Sequence, residues 1–224
     1  MAPYDKLRSI VFTISTALLF FIWSLLTKLS PSNVILNTIL GAVSSLGTYR
    51  IILKIMETLI AKIPTVKKFI YGNSYLEGVW IGAYIGTDDK PRYYIEDFEQ
   101  DFTGLIIRGF CYNEDYSYKG NWVSDRVYIN EKNGTITYTY VTEMIRNNTK
   151  NQGLASFNFY RNNKKDPPME MIGFSSDIFS PQKFQSFEWK LSDKEKNYDR
   201  KRLLKLAEER YVNETKNKSN INNS

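Results

Sequence analysis

The chain contains no histidine and a single cysteine in 224 residues. Without His, neither a Ser-His-Asp nor a Cys-His nucleophile can be assembled, and His-ligated zinc is excluded. One Cys forbids an internal disulfide and any C-x-x-C metal or redox pair. The commonest hydrolase and metalloenzyme chemistries are thereby closed, and the sequence reads as a non-enzyme with no cofactor and no metal. Acidic residues are scarce in the first seventy positions, where only Asp5 and Glu57 stand against eight Lys and Arg, a net +6. Residues 71–192 sum to −3 and residues 193–224 to +3. The overall +6 therefore does not describe a basic folded domain, and a broad surface for polymeric nucleic acid is disfavoured.

Charge is missing altogether from two long runs, Ser9–Thr27 and Leu29–Tyr49. At about 1.5 Å per residue, each nearly crosses a hydrocarbon core of about 30 Å. Ser30-Pro31-Ser32-Asn33 separates them with helix-start chemistry. The expectation is an antiparallel hairpin of two transmembrane helices, about 9–29 and 33–53, within residues 1–55. Lys6 and Arg8 flank one end, Lys28 alone marks the tip, and Arg50, Lys54, Lys62, Lys67 and Lys68 follow the exit. The positive-inside rule then places both termini in the cytoplasm. Gly41, Ser45 and Gly47 present small side chains, which allow close helix approach in lipid, either within the hairpin or between protomers. Residues 56–74 read as a Lys-bearing helical linker on the cytoplasmic side, near an anionic leaflet.

Residues 75–192 are of another kind, with Tyr, Phe, Thr, Ile and Val in period-2 alternation and no helical stretch. Strands are expected near 78–86, 92–100, 102–112, 120–130, 135–144, 153–161, 169–178 and 184–191. Asn133-Gly134 is a hairpin signal between two of them. Eight short strands in series suit an up-and-down antiparallel β-barrel or a sandwich. In the last strand Phe187, Trp189 and Leu191 oppose Ser186, Glu188 and Lys190, whereas the inner face of the fourth is ambiguous. Ser192-x-x-Glu195 is a capping box that opens a charged helix with Leu203, Leu206 and Ala207 on one side. From residue 213 the composition, mainly Asn, Lys and Ser, reads as a disordered tail.

The order of parts carries a resemblance: a two-span hairpin, a Lys-bearing linker, then a small eight-strand domain. That domain opens with Gly78-Val79-Trp80-Ile81-Gly82, continues through Gln100-Asp101-Phe102, Gly153-Leu154-Ala155 and Ile172-Gly173-Phe174, and closes on Phe187-Glu188-Trp189. It resembles the two-transmembrane β-barrel effectors of bacterial cyclic-oligonucleotide anti-phage signalling (CBASS), and its G-x-W opening is similar to that of lipocalins. The resemblance implies a lipocalin-like barrel, and the charged helix read after Ser192 follows it. It implies that the barrel binds a cyclic dinucleotide made by a functionally linked synthase. Homo-oligomerisation in the inner membrane, disruption of the bilayer and death of the infected cell would follow. A ligand with two phosphates and two bases needs placed cations and aromatic faces. Arg108 and Arg126, which share strand faces with aromatics, and Tyr84, Tyr138 and Tyr140 are the expected ligand contacts. The rival expectation is a constitutive membrane-anchored carrier whose barrel holds an apolar ligand.

Overall fold

The computed structural model describes residues 3–29, 38, 47–59, 63–101, 104–144, 149–161, 163, 166–178 and 180–221. These fall into two compact units, Met1–Gly72 and Asn73–Ser224.

In the first unit, helix α1 spans Pro3–Leu29. Its segment Asp5–Leu25 is long and apolar enough to cross a membrane. Phe12, Phe20 and Phe21 on α1 are exposed in the chain alone, as lipid-facing side chains are. Residues 47–59 form a second helix, α2. Helix α3, Pro64–Tyr71, begins on proline, whose fixed φ suits a first helical turn, and ends where Gly72 takes a φ of 56°. Lys6 Nζ donates to Phe69 O at 2.7 Å and lies 4.3 Å from the Phe69 ring centroid. Of the expected second span, residues 33–37 and 39–46 lie outside the described residues, and Gly41 and Ser45 with them. Gly47 belongs to α2, and a Cβ added there would meet nothing within 4 Å. The described residues thus hold one membrane-span candidate where two were expected.

The second unit is a closed barrel of eight antiparallel strands, each paired with the next and β8 paired back to β1. The strands are β1 Gly78–Ile85, β2 Pro91–Asp101, β3 Gly104–Tyr112, β4 Tyr118–Asn130, β5 Thr135–Met144, β6 Thr149–Tyr160, β7 Glu170–Asp177 and β8 Ser180–Lys190. The expected hairpin at Asn133-Gly134 forms. It uses a four-residue connection, 131–134, with Gly134 at a φ of 65°, a conformation that costs glycine little.

Pairing register assigns the faces. Along β2, Arg92, Tyr94, Glu96, Phe98 and Gln100 point inward and are all buried. On β4 the register shifts between Ser124 and Arg126. Before this bulge Gly120 and Trp122 point inward, and after it Val127 and Ile129 do, which resolves the ambiguity of that strand.

The last strand is inverted relative to a simple hydrophobic-in reading. Ser186, Glu188 and Lys190 face the interior, while Phe187, Trp189 and Leu191 lie on the outside of the barrel wall. Their cover is the C-terminal helix α4, Arg200–Ile221. Leu203, Leu204 and Ala207 of α4 pack with Ile81, Ala83 and Trp189 into a second core. The capping box forms as expected, with Ser192 N donating to Glu195 Oε2 at 2.8 Å, but it opens only the 3-10 turn Glu195–Asn197. Asp199 caps α4 instead, its Oδ1 accepting from Arg202 N at 2.8 Å. The helix runs on through residues 213–221, where composition suggested a tail.

Candidate functional site

The barrel interior has two halves. At the end where the chain enters β1, Leu76, Trp80, Phe98, Ile107, Ile136 and Met171 fill the interior with apolar side chains. Trp80 and Phe98 stack at 5.3 Å, and Trp80 Nε1 donates to Leu76 O at 2.9 Å. Gln100 seals this end, its Oε1 accepting from Leu76 N at 2.8 Å and its Nε2 donating to Ser74 O at 2.9 Å.

The other half, where β1 passes to β2 and β3 to β4, holds a cavity of about 140 Å³. Tyr84, Tyr94, Trp122, Tyr138, Tyr140 and Phe184 supply aromatic walls, and Glu96, Glu188 and Asp177 supply carboxyls. Among the described residues, no Lys or Arg lines it.

Glycines hold the walls back. Gly82 pairs with Tyr94, Gly109 with Trp122 and Gly153 with Tyr140. A Cβ at each would stand 2.2, 2.1 and 2.2 Å from the ring opposite. Each ring therefore lies across its neighbouring strand instead of projecting to the barrel axis, and the axis stays open.

Glu96 and Glu188 sit at the floor of the cavity, both fully buried. Glu96 Oε1 accepts from Trp122 Nε1 at 3.2 Å and from Tyr138 OH at 3.4 Å, and Glu188 Oε1 accepts from Tyr94 OH at 3.2 Å. Neither Oε2 receives a hydrogen bond from any protein donor. Burial raises both carboxyls, Glu96 to about 8, and the two interact directly. Two carboxylates in one low-dielectric site cannot both ionise cheaply, so the pair holds a proton at neutral pH. Nearer the mouth, Tyr140 OH donates to Asp177 Oδ1 at 3.4 Å, and burial raises the Asp177 carboxyl. Tyr84 OH lies 3.6 Å from Cys111 Sγ, and burial pushes that thiol up.

Of the five expected ligand contacts, the structure brings Tyr84, Tyr138 and Tyr140 together in the cavity and leaves out the two arginines. Arg108 stands on the outer face of β3, in an ion pair with Glu99 at 2.6 Å. Arg126 is exposed on the outside of β4, because the bulge before it reverses the alternation that groups it with Trp122. At the cavity end of the barrel the cation that points inward is Arg92, buried on β2. It pairs with Asp88 across the β1–β2 turn, and its Nε has no partner. The fields of Arg92 and Lys119 reach Cys111 and lower its thiol against the larger effect of burial. Arg92 was legible as an inward residue from its even spacing with Tyr94, Glu96 and Phe98. Glu188 was concealed by the inversion of β8.

Among the described residues, no group of three His, Cys, Asp or Glu side chains is placed to hold a metal ion. No protein-family model matches the chain, and the comparison with curated proteins gives no match.

Proposed function

We propose that this chain is a membrane-anchored receptor-effector whose barrel binds a cyclic dinucleotide. Binding drives self-association in the inner membrane, disrupts the bilayer and kills a phage-infected cell, in the manner of the CBASS effectors that the sequence resembles. The reading takes the helical hairpin as two membrane spans, with both termini in the cytoplasm. The observation that carries it is a hollow, aromatic-walled half-barrel in the same chain as an exposed apolar helix long enough to cross lipid.

Size and charge decide how such a ligand would sit. Pockets that enclose a drug-sized ligand hold about 300–1,000 Å³, and this cavity holds about 140 Å³. An acidic floor repels phosphate. A base therefore enters between the rings, and the phosphates stay at the mouth, on the side of Arg92 and Lys119. No bond is made or broken. The ligand acts only by favouring the associated form over the monomer, and confinement to the bilayer raises the effective concentration of weak helix contacts. A constitutive carrier of apolar ligands fits less well, since three carboxyls face the cavity.

Liposomes containing the full chain and a self-quenched dye provide the test. Cyclic dinucleotides are expected to raise the melting temperature and release the dye, and removal of residues 1–55 should abolish release. Stabilisation by fatty acids alone would overturn the receptor reading.

A further inference from the structure

The floor of the cavity has a chemistry of its own, independent of any nucleotide. Apart from the proton that the pair itself holds, no protein donor reaches one oxygen of each of two fully buried carboxyls, Glu96 Oε2 and Glu188 Oε2. Their other oxygens are already committed to Trp122, Tyr138 and Tyr94. A buried acceptor left without a donor is costly, so the site calls for a guest that brings hydrogens. Among the described residues no cation lines the cavity, so an anionic guest would find neither a partner nor a compensating charge. The space is that of one ring: an apolar cavity of about 150 Å³ accepts benzene, and this one measures about 140 Å³. The walls are aromatic faces, which attract cations and stack on flat groups.

We propose that the cavity is a binding site for a single planar nitrogen group that donates N–H from its edge, an amidine, guanidine or amino-substituted ring, held by Glu96 and Glu188 between Tyr84, Tyr140 and Trp122. The empty site keeps a proton between the two carboxyls, and an N–H edge replaces it. Two parallel N–H donors on one carboxylate are the strong bidentate arrangement. The proposal goes beyond the receptor reading and does not need it. If a dinucleotide is the natural ligand, its amino-bearing base is the part that enters.

Benzamidine and benzoate are flat, of nearly equal size and opposite in charge. Calorimetric titration of the full chain in detergent is expected to show benzamidine binding and no benzoate binding. Glu188→Gln and Glu96→Gln keep the shape of the site and remove one acceptor each. Either should weaken benzamidine at least tenfold, while Arg126→Ala, on the outer wall, leaves it unchanged. Thermal unfolding of each variant checks that it is folded. Benzoate binding as tightly as benzamidine, no benzamidine binding to the folded wild type, or folded Gln variants that bind it undiminished would each overturn the assignment. These outcomes do not depend on whether cyclic dinucleotides bind.

Discussion

Along β2 the inward side chains run Arg92, Tyr94, Glu96, Phe98 and Gln100, and the midpoint of that series divides two kinds of interior. Beyond Glu96, toward the entry of the chain, Phe98 stacks on Trp80 and Gln100 ties three backbone groups at Ser74, Leu76 and Glu77. Before it, Tyr94 lies flat against Gly82 and encloses space. The strands and their spacing are the same in both halves. The difference is whether the inward residue meets another large apolar side chain or a glycine on the neighbouring strand. Packing therefore stabilises one half, and the other is free to carry polar chemistry that packing alone would exclude.

The largest expected effect tests the filled half. Trp80 is fully buried, stacked on Phe98 and hydrogen-bonded to Leu76 O. Trp80→Ala removes that contact and leaves a void, at a cost of about 3–5 kcal/mol. Thermal or denaturant unfolding of the detergent-solubilised chain measures it. A cost below about 1 kcal/mol would mean that the two halves are not distinct in what they contribute.

Next in size is a pH dependence that belongs to the boundary between the halves. Burial raises Glu96 to about 8 and Glu188 in the same direction, against 4.5 for a solvated Glu. Between those values the native state holds a proton that the unfolded chain has released. This contribution is complete below about pH 4.5 and is lost as pH rises toward 8, with a slope on the order of 1.4 kcal/mol per pH unit for each proton held. Asp177, also raised, adds in the same sense, whereas Asp88 and Glu99, which their arginine partners lower, lose stability only on acidification. Glu188→Gln should flatten the profile between pH 5 and 8. An unchanged profile would mean that the pair does not share a proton.

Much of this architecture is legible in the residues. Period-2 runs broken by Asp88-Asp89-Lys90-Pro91, Asn133-Gly134 and Ser180-Pro181 place all eight strands within a few residues. The same alternation does not say which face is inside. On β8 the apolar face Phe187, Trp189 and Leu191 is outside, because α4 supplies the apolar partner, and the polar face lines the barrel. Leu203 and Ala207 on α4 were the available clue, since a helix that docks on a barrel must cover an apolar outer wall. On β4 a single extra residue at the bulge sends Arg126 outward, and nothing local distinguishes Asp125 as the bulged position. The three tyrosines were found because inward aromatics recur at even spacing on strands without a bulge. The glycines opposite them were visible as letters, but their role depends on cross-strand register, which the sequence does not fix.

The smallest effect concerns the hollow half and is the sharpest test of the contrast. Tyr140 lines the cavity and spends its hydroxyl on a 3.4 Å bond to Asp177. Asp177 is only partly buried, so a carboxylate that loses this donor can turn to water. Tyr140→Phe keeps the ring that lies across Gly153 and removes the hydroxyl alone. The expected cost is at the low end of the 0.5–1.5 kcal/mol typical of a hydrogen bond, about 0.5 kcal/mol. The lost donor is one that lowers the Asp177 carboxyl, so burial then acts unopposed and the contribution of this group to the pH profile should shift toward higher pH. Unfolding of this variant at pH 6 and pH 8 reads both quantities. A loss of about 3 kcal/mol or more would show that the mouth is held by its polar contacts as firmly as the entry end is held by Trp80, and the division of the interior into a stabilising half and a working half would fail.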